Sequence, residues 1–168
     1  MPSLPEGLQG LFHYALADGR LLGSEDPGLH PRARELVTTM VQHYGVRVLM
    51  TLTAEPTDYG LPGLCQYHRP LSPRRIPSAD DVRPLVALVL RHVQRGEPVW
   101  CHCRHGLDRT GSVLGCSLVA LGVPPARAIA DVTAAFPPAR RTPRLLALWE
   151  PYAALIRAFP RSAGRPPG

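Results

Sequence analysis

Lysine is missing from this chain altogether: all 19 basic residues are arginine, and against 13 acidic residues they leave a net charge of +6. What remains is the planar guanidinium, which matches the oxygens of phosphate and carboxylate two at a time. GC-rich codon usage gives the same bias, so placement matters more than number. The clusters are Arg74-Arg75, Arg104 with Arg109, and Arg140-Arg141-Arg144. Absent too is any apolar run near the ~20 residues of a transmembrane helix. The start, Met1 to Gly7, lacks the basic residues and apolar stretch of a signal peptide. Four cysteines in no regular framework exclude a disulfide-built scaffold and fit a reducing compartment. We therefore expect a soluble cytoplasmic protein. At 168 residues it has the length of one domain, large enough to bury a core without cross-links or metals.

Strand and helix patterns alternate along the chain. Leu11–Leu16 and Arg20–Gly23 around Asp18-Gly19 predict a short hairpin. Ala33, Leu36, Val37, Met40, Val41 and Tyr44 keep a helical spacing that Gly45 ends. Val46–Leu52 reads as a buried strand, the Pro- and Gly-rich stretch 53–63 as a loop, and Cys65–Leu71 as a further strand. Ser78 is placed to cap a helix over Ala79–Arg95. Pro98–His102 is the next strand, followed by helices over Thr110–Leu121, Pro125–Phe136 and Pro143–Phe159. This order predicts an α/β single domain with a mainly parallel central sheet flanked by helices. Residues 1–159 form that domain, and 160–168, rich in Pro, Gly and Arg, are expected to be a disordered tail.

The chemistry concentrates after Pro98–His102. His102-Cys103-Arg104-His105-Gly106-Leu107-Asp108-Arg109-Thr110-Gly111 puts a thiol and a fixed cation at the two ends of a short loop. Strand, loop and helix in this order turn backbone N–H groups inward and add the positive end of the helix dipole, a cradle for a phosphate. That field favours the thiolate form of Cys103, the form that attacks phosphorus. Gly106 allows the backbone to curl around the anion without a crowding Cβ. Arg109 can fork two phosphoryl oxygens as charge spreads in the transition state. Thr110 can donate a hydrogen bond to the sulfur, and His102 can fix the loop through a ring N–H. Arg104, His105 and Leu107 complete the phosphate-binding set. A bare Cys-x5-Arg would carry little; the strand before it and the helix after it give it meaning.

This string resembles the His-Cys-x5-Arg-Thr-Gly signature of the cysteine-dependent protein tyrosine phosphatase superfamily. The length and order of elements, from about Gly19 to Phe159, are similar to its small atypical dual-specificity branch. The resemblance implies a cysteine-dependent phosphatase working through a phosphocysteine intermediate, with Cys103 as nucleophile, Arg109 as phosphate-binding arginine and Thr110 as hydroxyl helper. It implies phosphotyrosine, and also phosphoserine or phosphothreonine, as substrates, with neither cofactor nor metal. One part of the pattern is missing. The branch carries a general-acid aspartate in the loop that here reads Ser72-Pro73-Arg74-Arg75-Ile76-Pro77, with Pro73 at the expected position. Protonating the leaving oxygen is worth about 10²–10⁴-fold. Asp108 is one replacement, since the myotubularin-like lipid phosphatases place an aspartate there. Asp80, Asp81 and Asp58 are others, and a leaving group that is itself a phosphate would need none.

That last case has its own resemblance. Cys103-Arg104-His105-Gly106-Leu107-Asp108-Arg109-Thr110-Gly111 is similar to the loop of the cysteine-type RNA 5′-triphosphatases. With Arg74, Arg75, Arg104 and His105 near one site, inositol phosphates and phosphoinositides are further non-protein alternatives. A nucleic-acid partner is expected only if the substrate is an RNA end. Two readings from other classes stand beside these: a phosphate-binding module weak in catalysis, and a sulfurtransferase of the rhodanese type. Arg140, Arg141 and Arg144 fit a solvated helix start. Cys65, Cys101 and Cys116 are expected as buried small residues, or as partners for a protective disulfide with Cys103. We expect a monomer with no segment inserted in a membrane.

Overall fold

The centre of the sheet is Val99–His102, whose four residues are all buried between two strands running parallel to it. The computed structural model describes residues 5–161. In chain order the elements are β1 (His13–Leu16), β2 (Leu21–Ser24), α1 (Ala33–Tyr44), β3 (Val48–Thr51), β4 (Cys65–His68), α2 (Ala79–Val93), β5 (Val99–His102), α3 (Asp108–Ala120), α4 (Pro125–Ala135) and α5 (Pro143–Ala158). The sheet order is β1-β2-β5-β3-β4. Only the β1–β2 hairpin is antiparallel. The expected single-domain α/β fold with a mainly parallel sheet is what the chain adopts. From residue 162 on, the expected tail lies outside the described residues.

Strand side chains alternate between two cores, as a pleated strand requires. Leu21, Val48, Met50, Val99 and Cys101 face one side, packed by α2, α3, α4 and α5. Leu22, Leu49 and Trp100 face the other, covered by α1 through Leu36, Val37 and Met40. The observed ends differ little from expectation. Val46–Leu52 narrows to Val48–Thr51, although Val46 and Leu52 stay buried. Cys65–Leu71 narrows to Cys65–His68, because Arg69 and Leu71 bond back to Thr51 and Leu52 beyond the regular ladder. Ser78 caps α2 as expected: its hydroxyl accepts the Asp81 N–H, and the Asp81 carboxylate accepts the Ser78 N–H, a reciprocal capping box. The one shift that touches the site is at α3. It begins at Asp108, two residues earlier than expected, so Asp108 and Arg109 belong to its first turn.

Candidate active site

The loop between β5 and α3 is shaped by bonds to its carbonyls. Asp26 N–H donates to the Arg104 carbonyl at 3.2 Å, and the Tyr14 hydroxyl donates to the Gly106 carbonyl at 2.9 Å. Burial keeps that phenol well above its ordinary pKa and so protonated as a donor. By contrast, the backbone N–H groups of Arg104 through Arg109 find no acceptor among the described residues. Carbonyls tied outward and N–H groups left over at a helix start are what an anion cradle needs. Cys103, which opens the loop, is 2% exposed.

Gly106 is required here for a reason beyond the one expected. Its φ is +74°, and a Cβ built on it would lie 2.4 Å from the backbone carbon of Ser24. The end of β2 is thus one source of crowding at this position. Gly23 plays the complementary part: a Cβ there would lie 2.3 Å from the ring of Tyr14. The bare strand position lets Tyr14 lie across β2 and reach the loop. Tyr14 was not legible as a site residue, although a glycine inside a strand is the signal of such a close approach.

His102 is tied to the sheet as well as placed against the start of the loop. Its Nε2 is hydrogen-bonded to Thr51 Oγ1 at 2.9 Å, joining β5 to β3 on the α1 side of the sheet. Its Nδ1 lies 3.8 Å from Asp26 Oδ1 and beside the Cys103 backbone, with no close hydrogen-bond partner among the described residues. Burial lowers the His102 pKa to about 4, against the pull of the Asp26 carboxylate. Arg109 is half-buried in the first turn of α3, and its guanidinium donates to the Leu71 carbonyl at 3.3 Å. Thr110 is fully buried with its hydroxyl unpartnered among the described residues. Arg104 and His105 are exposed on the loop, and Leu107 is half-buried.

The carboxylates sort clearly. Asp81 is taken by Arg75, at 2.6 and 3.1 Å, and by Ser78, which hold it far below the usual carboxylate range. Asp80 has its side chain 93% exposed and reaches only toward Arg83. Asp58 accepts the Gly60 N–H and Gln66 Nε2, both at 2.8 Å, which lowers its pKa, and it opens on a separate cavity beside Tyr67 and His68. Each of the three is engaged in local structure or turned to solvent. Asp108 differs. The residue is exposed, but its carboxyl stands beside Leu107, Phe136, Arg140 and Trp149, and desolvation there raises its pKa against the pull of Arg109, Arg140 and His105. A cavity of about 280 Å³ on another side of the loop holds Arg104, Arg109 and Pro73. It also contains two carboxylates not singled out from the sequence, Asp26 and Glu55.

Among the cysteines, Cys65 is exposed on edge strand β4 while Cys101 and Cys116 are buried. Two strand spacings and four residues of rise, roughly 10 Å by 13 Å, separate Cys65 from Cys103, beyond the reach of a disulfide. Burial pushes the Cys101 thiol up and the Cys116 thiol up to about 12, as befits inert core residues. Arg140 and Arg141 precede α5, and Arg144 lies in its first turn; all three are exposed.

Residues 23–123 match the sequence model of a family described as "Polymorphic toxin system, DSP-PTPase phosphatase". Among solved structures, the fold is similar to a mutant form of Tk-PTP, with 24% identity, 84% of this chain and 95% of that one covered, and a TM-score of 0.58. Human DUSP28 matches at 18% identity over 92% of this chain and 98% of its own, with a TM-score of 0.63. The core catalytic domain of the PP-IP phosphatase SIW14 from S. cerevisiae matches at 20% identity, covering 87% of this chain and 84% of that one, with a TM-score of 0.63.

Proposed function

The chain belongs to the DSP-PTPase phosphatase family and is a cysteine-dependent phosphatase; from that premise we propose that it hydrolyses phosphomonoesters of proteins, phosphotyrosine first, through phosphocysteine. The observation that carries this reading is the loop itself: a buried Cys103 followed by unengaged N–H groups from Arg104 to Arg109, with Arg109 in the first turn of the helix behind them. In the first step the Cys103 sulfur forms a bond to phosphorus as the ester P–O bond breaks. Arg109 and the loop N–H groups hold the phosphoryl oxygens, whose charge spreads as the transition state loosens. Asp108 gives its proton to the departing oxygen. In the second step water attacks phosphorus, Asp108 takes the proton back, and the S–P bond breaks. The buried, unpartnered Thr110 hydroxyl supports a role in steadying the thiolate that leaves. The raised pKa of Asp108 suits it to carry a proton at higher pH than an ordinary carboxyl.

A protein phosphomonoester is favoured over an inositol phosphate, a phosphoinositide or an RNA 5′-triphosphate by the cavity around Arg109. Asp26 and Glu55 stand in it beside the two arginines, and a second phosphate there would meet carboxylates. Labelled phosphate should be trapped on the wild-type chain and not on Cys103→Ser. Asp108→Asn should slow a phosphate ester with a poor leaving group by about 10²-fold or more, and an activated aryl phosphate far less. Equal slowing of both would remove Asp108 from the acid role, and no turnover of any phosphomonoester would overturn the reading.

A further inference from the structure

We propose that two side-chain pockets, one carrying carboxylates and one walled by aromatic and aliphatic side chains, border the catalytic loop, so that the preferred substrate is a phosphopeptide with a basic residue on one side of the phosphorylated residue and an aliphatic residue on the other. The inference rests on the phosphomonoester reading above and names its substrate more closely.

The first pocket is the cavity of about 280 Å³ that meets the loop at Arg104 and Arg109. Its wall carries Asp26 and Glu55, and neither forms an ion pair with those arginines. The Glu55 carboxylate has no partner among the described residues. Asp26 uses Oδ1 for the Gly28 N–H at 2.8 Å. Once a phosphoryl group occupies Arg109, Arg104 is the one cation left in that cavity for two carboxylates. A guanidinium or ammonium from the substrate supplies the missing charge.

The second pocket shares no lining residue with the first and meets the loop at Leu107 and Asp108. It is smaller, about 110 Å³, the scale of one aliphatic side chain. Phe136 and Trp149 pack edge to face in its wall, their centroids 5.0 Å apart. Leu148 at its rim is 65% exposed, the most exposed large apolar side chain among the described residues. An apolar side chain at the mouth of a site, next to a groove of its own kind, gains by being covered when substrate binds. The only charges in the wall are Asp108, reserved for the leaving oxygen, and Arg140. A polyanion would leave Asp26 and Glu55 short of a cation and the apolar wall of the second pocket uncovered.

The test uses the full chain and phosphotyrosine peptides of one length, carrying Arg and Leu on the two sides of the phosphotyrosine in both orders. Parallel peptides have Arg replaced by Glu, or Leu by Ser, and kcat/KM is read from phosphate release. In one of the two orders, Arg over Glu and Leu over Ser should each give a preference of about three- to fivefold. In Glu55→Gln the Arg-to-Glu ratio should fall toward one while the Leu-to-Ser ratio holds; Leu148→Ser should do the reverse. Ratios within one variant do not depend on how much of it is folded. Equal kcat/KM for Arg and Glu peptides in both orders, or ratios that ignore both substitutions, overturn the proposal. If no peptide is turned over while p-nitrophenyl phosphate is, the peptide proposal fails and the phosphatase reading stands. If neither is turned over, the phosphatase reading fails as well.

Discussion

With 1% of its surface exposed and one ring nitrogen held by Thr51, His102 stays neutral because the α1 side of the core has no room for its charge. The consequence for pH follows from where the proton goes. Unfolded, the ring protonates near pH 6.5; folded, burial delays this to about 4. Between those values the unfolded chain binds the extra proton, so the contribution of His102 to stability falls by at most about 3 kcal/mol as pH drops from 6.5 toward 4. Below that, the lowered carboxylates Asp81 and Asp58 take over the decline. Thermal melts of wild type should show this fall. His102→Asn should flatten it, leaving the smaller slope of His13, whose pKa burial also lowers. The sequence places His102 one residue from the nucleophile and so suggests a bond into the loop. The alternation of β5 also turns its ring toward Thr51, and only the strand register reveals that partner. The identities of Cys103, Arg109 and Thr110 were legible because a short loop keeps its residues together in any fold. Glu55 and Asp26 were not, since they enter from two other loops.

The first turn of α2 decides what its aspartates can do. Ser78, Asp81 and Arg75 form one closed set of bonds at the helix start. Ser78→Ala should cost about 1 kcal/mol, seen as a Tm lowered by about 2–4 °C. Asp81→Asn should likewise lower Tm. Neither should change the ratio of rates for poor and activated leaving groups, the signature reserved for Asp108→Asn. A leaving-group effect in Asp81→Asn would return that residue to the chemistry. The cap was readable because its partners are three residues apart. Helix and strand cores were readable for the same kind of reason: their periods are local, and both α2 and α5 begin at the residues that the pattern predicts. The early start of α3 was not, because the capping residue is Leu107, which makes no side-chain cap.

At the scale of the molecule, four arginines away from the site are paired: Arg32 with Glu35, Arg83 with Asp80, Arg127 with Asp131 and Arg157 with Glu150. Those around the loop, Arg74, Arg104, Arg140, Arg141 and Arg144, have no carboxylate within ion-pair distance among the described residues. Together with the net charge of +6 they set up a positive field over the mouth. Raising ionic strength from about 0.05 to 0.5 M shortens the Debye length well below the width of that patch. KM for an anionic phosphopeptide should therefore rise severalfold with kcat little changed, as steady-state rates across a salt series would reveal. A salt-independent KM would mean that the unpaired arginines do not guide substrate. One relation within this whole concerns the edge of the fold rather than its centre. The family match begins at residue 23, yet Tyr14, which holds the carbonyl of Gly106, sits on β1 before it. The signature is thus an incomplete instruction: a gene fragment cut at the matched boundary would encode every reacting atom and none of the hydroxyl that keeps their frame in shape. For this chain the unit that can be exchanged, trimmed or grafted onto another protein begins with the hairpin, not with the motif.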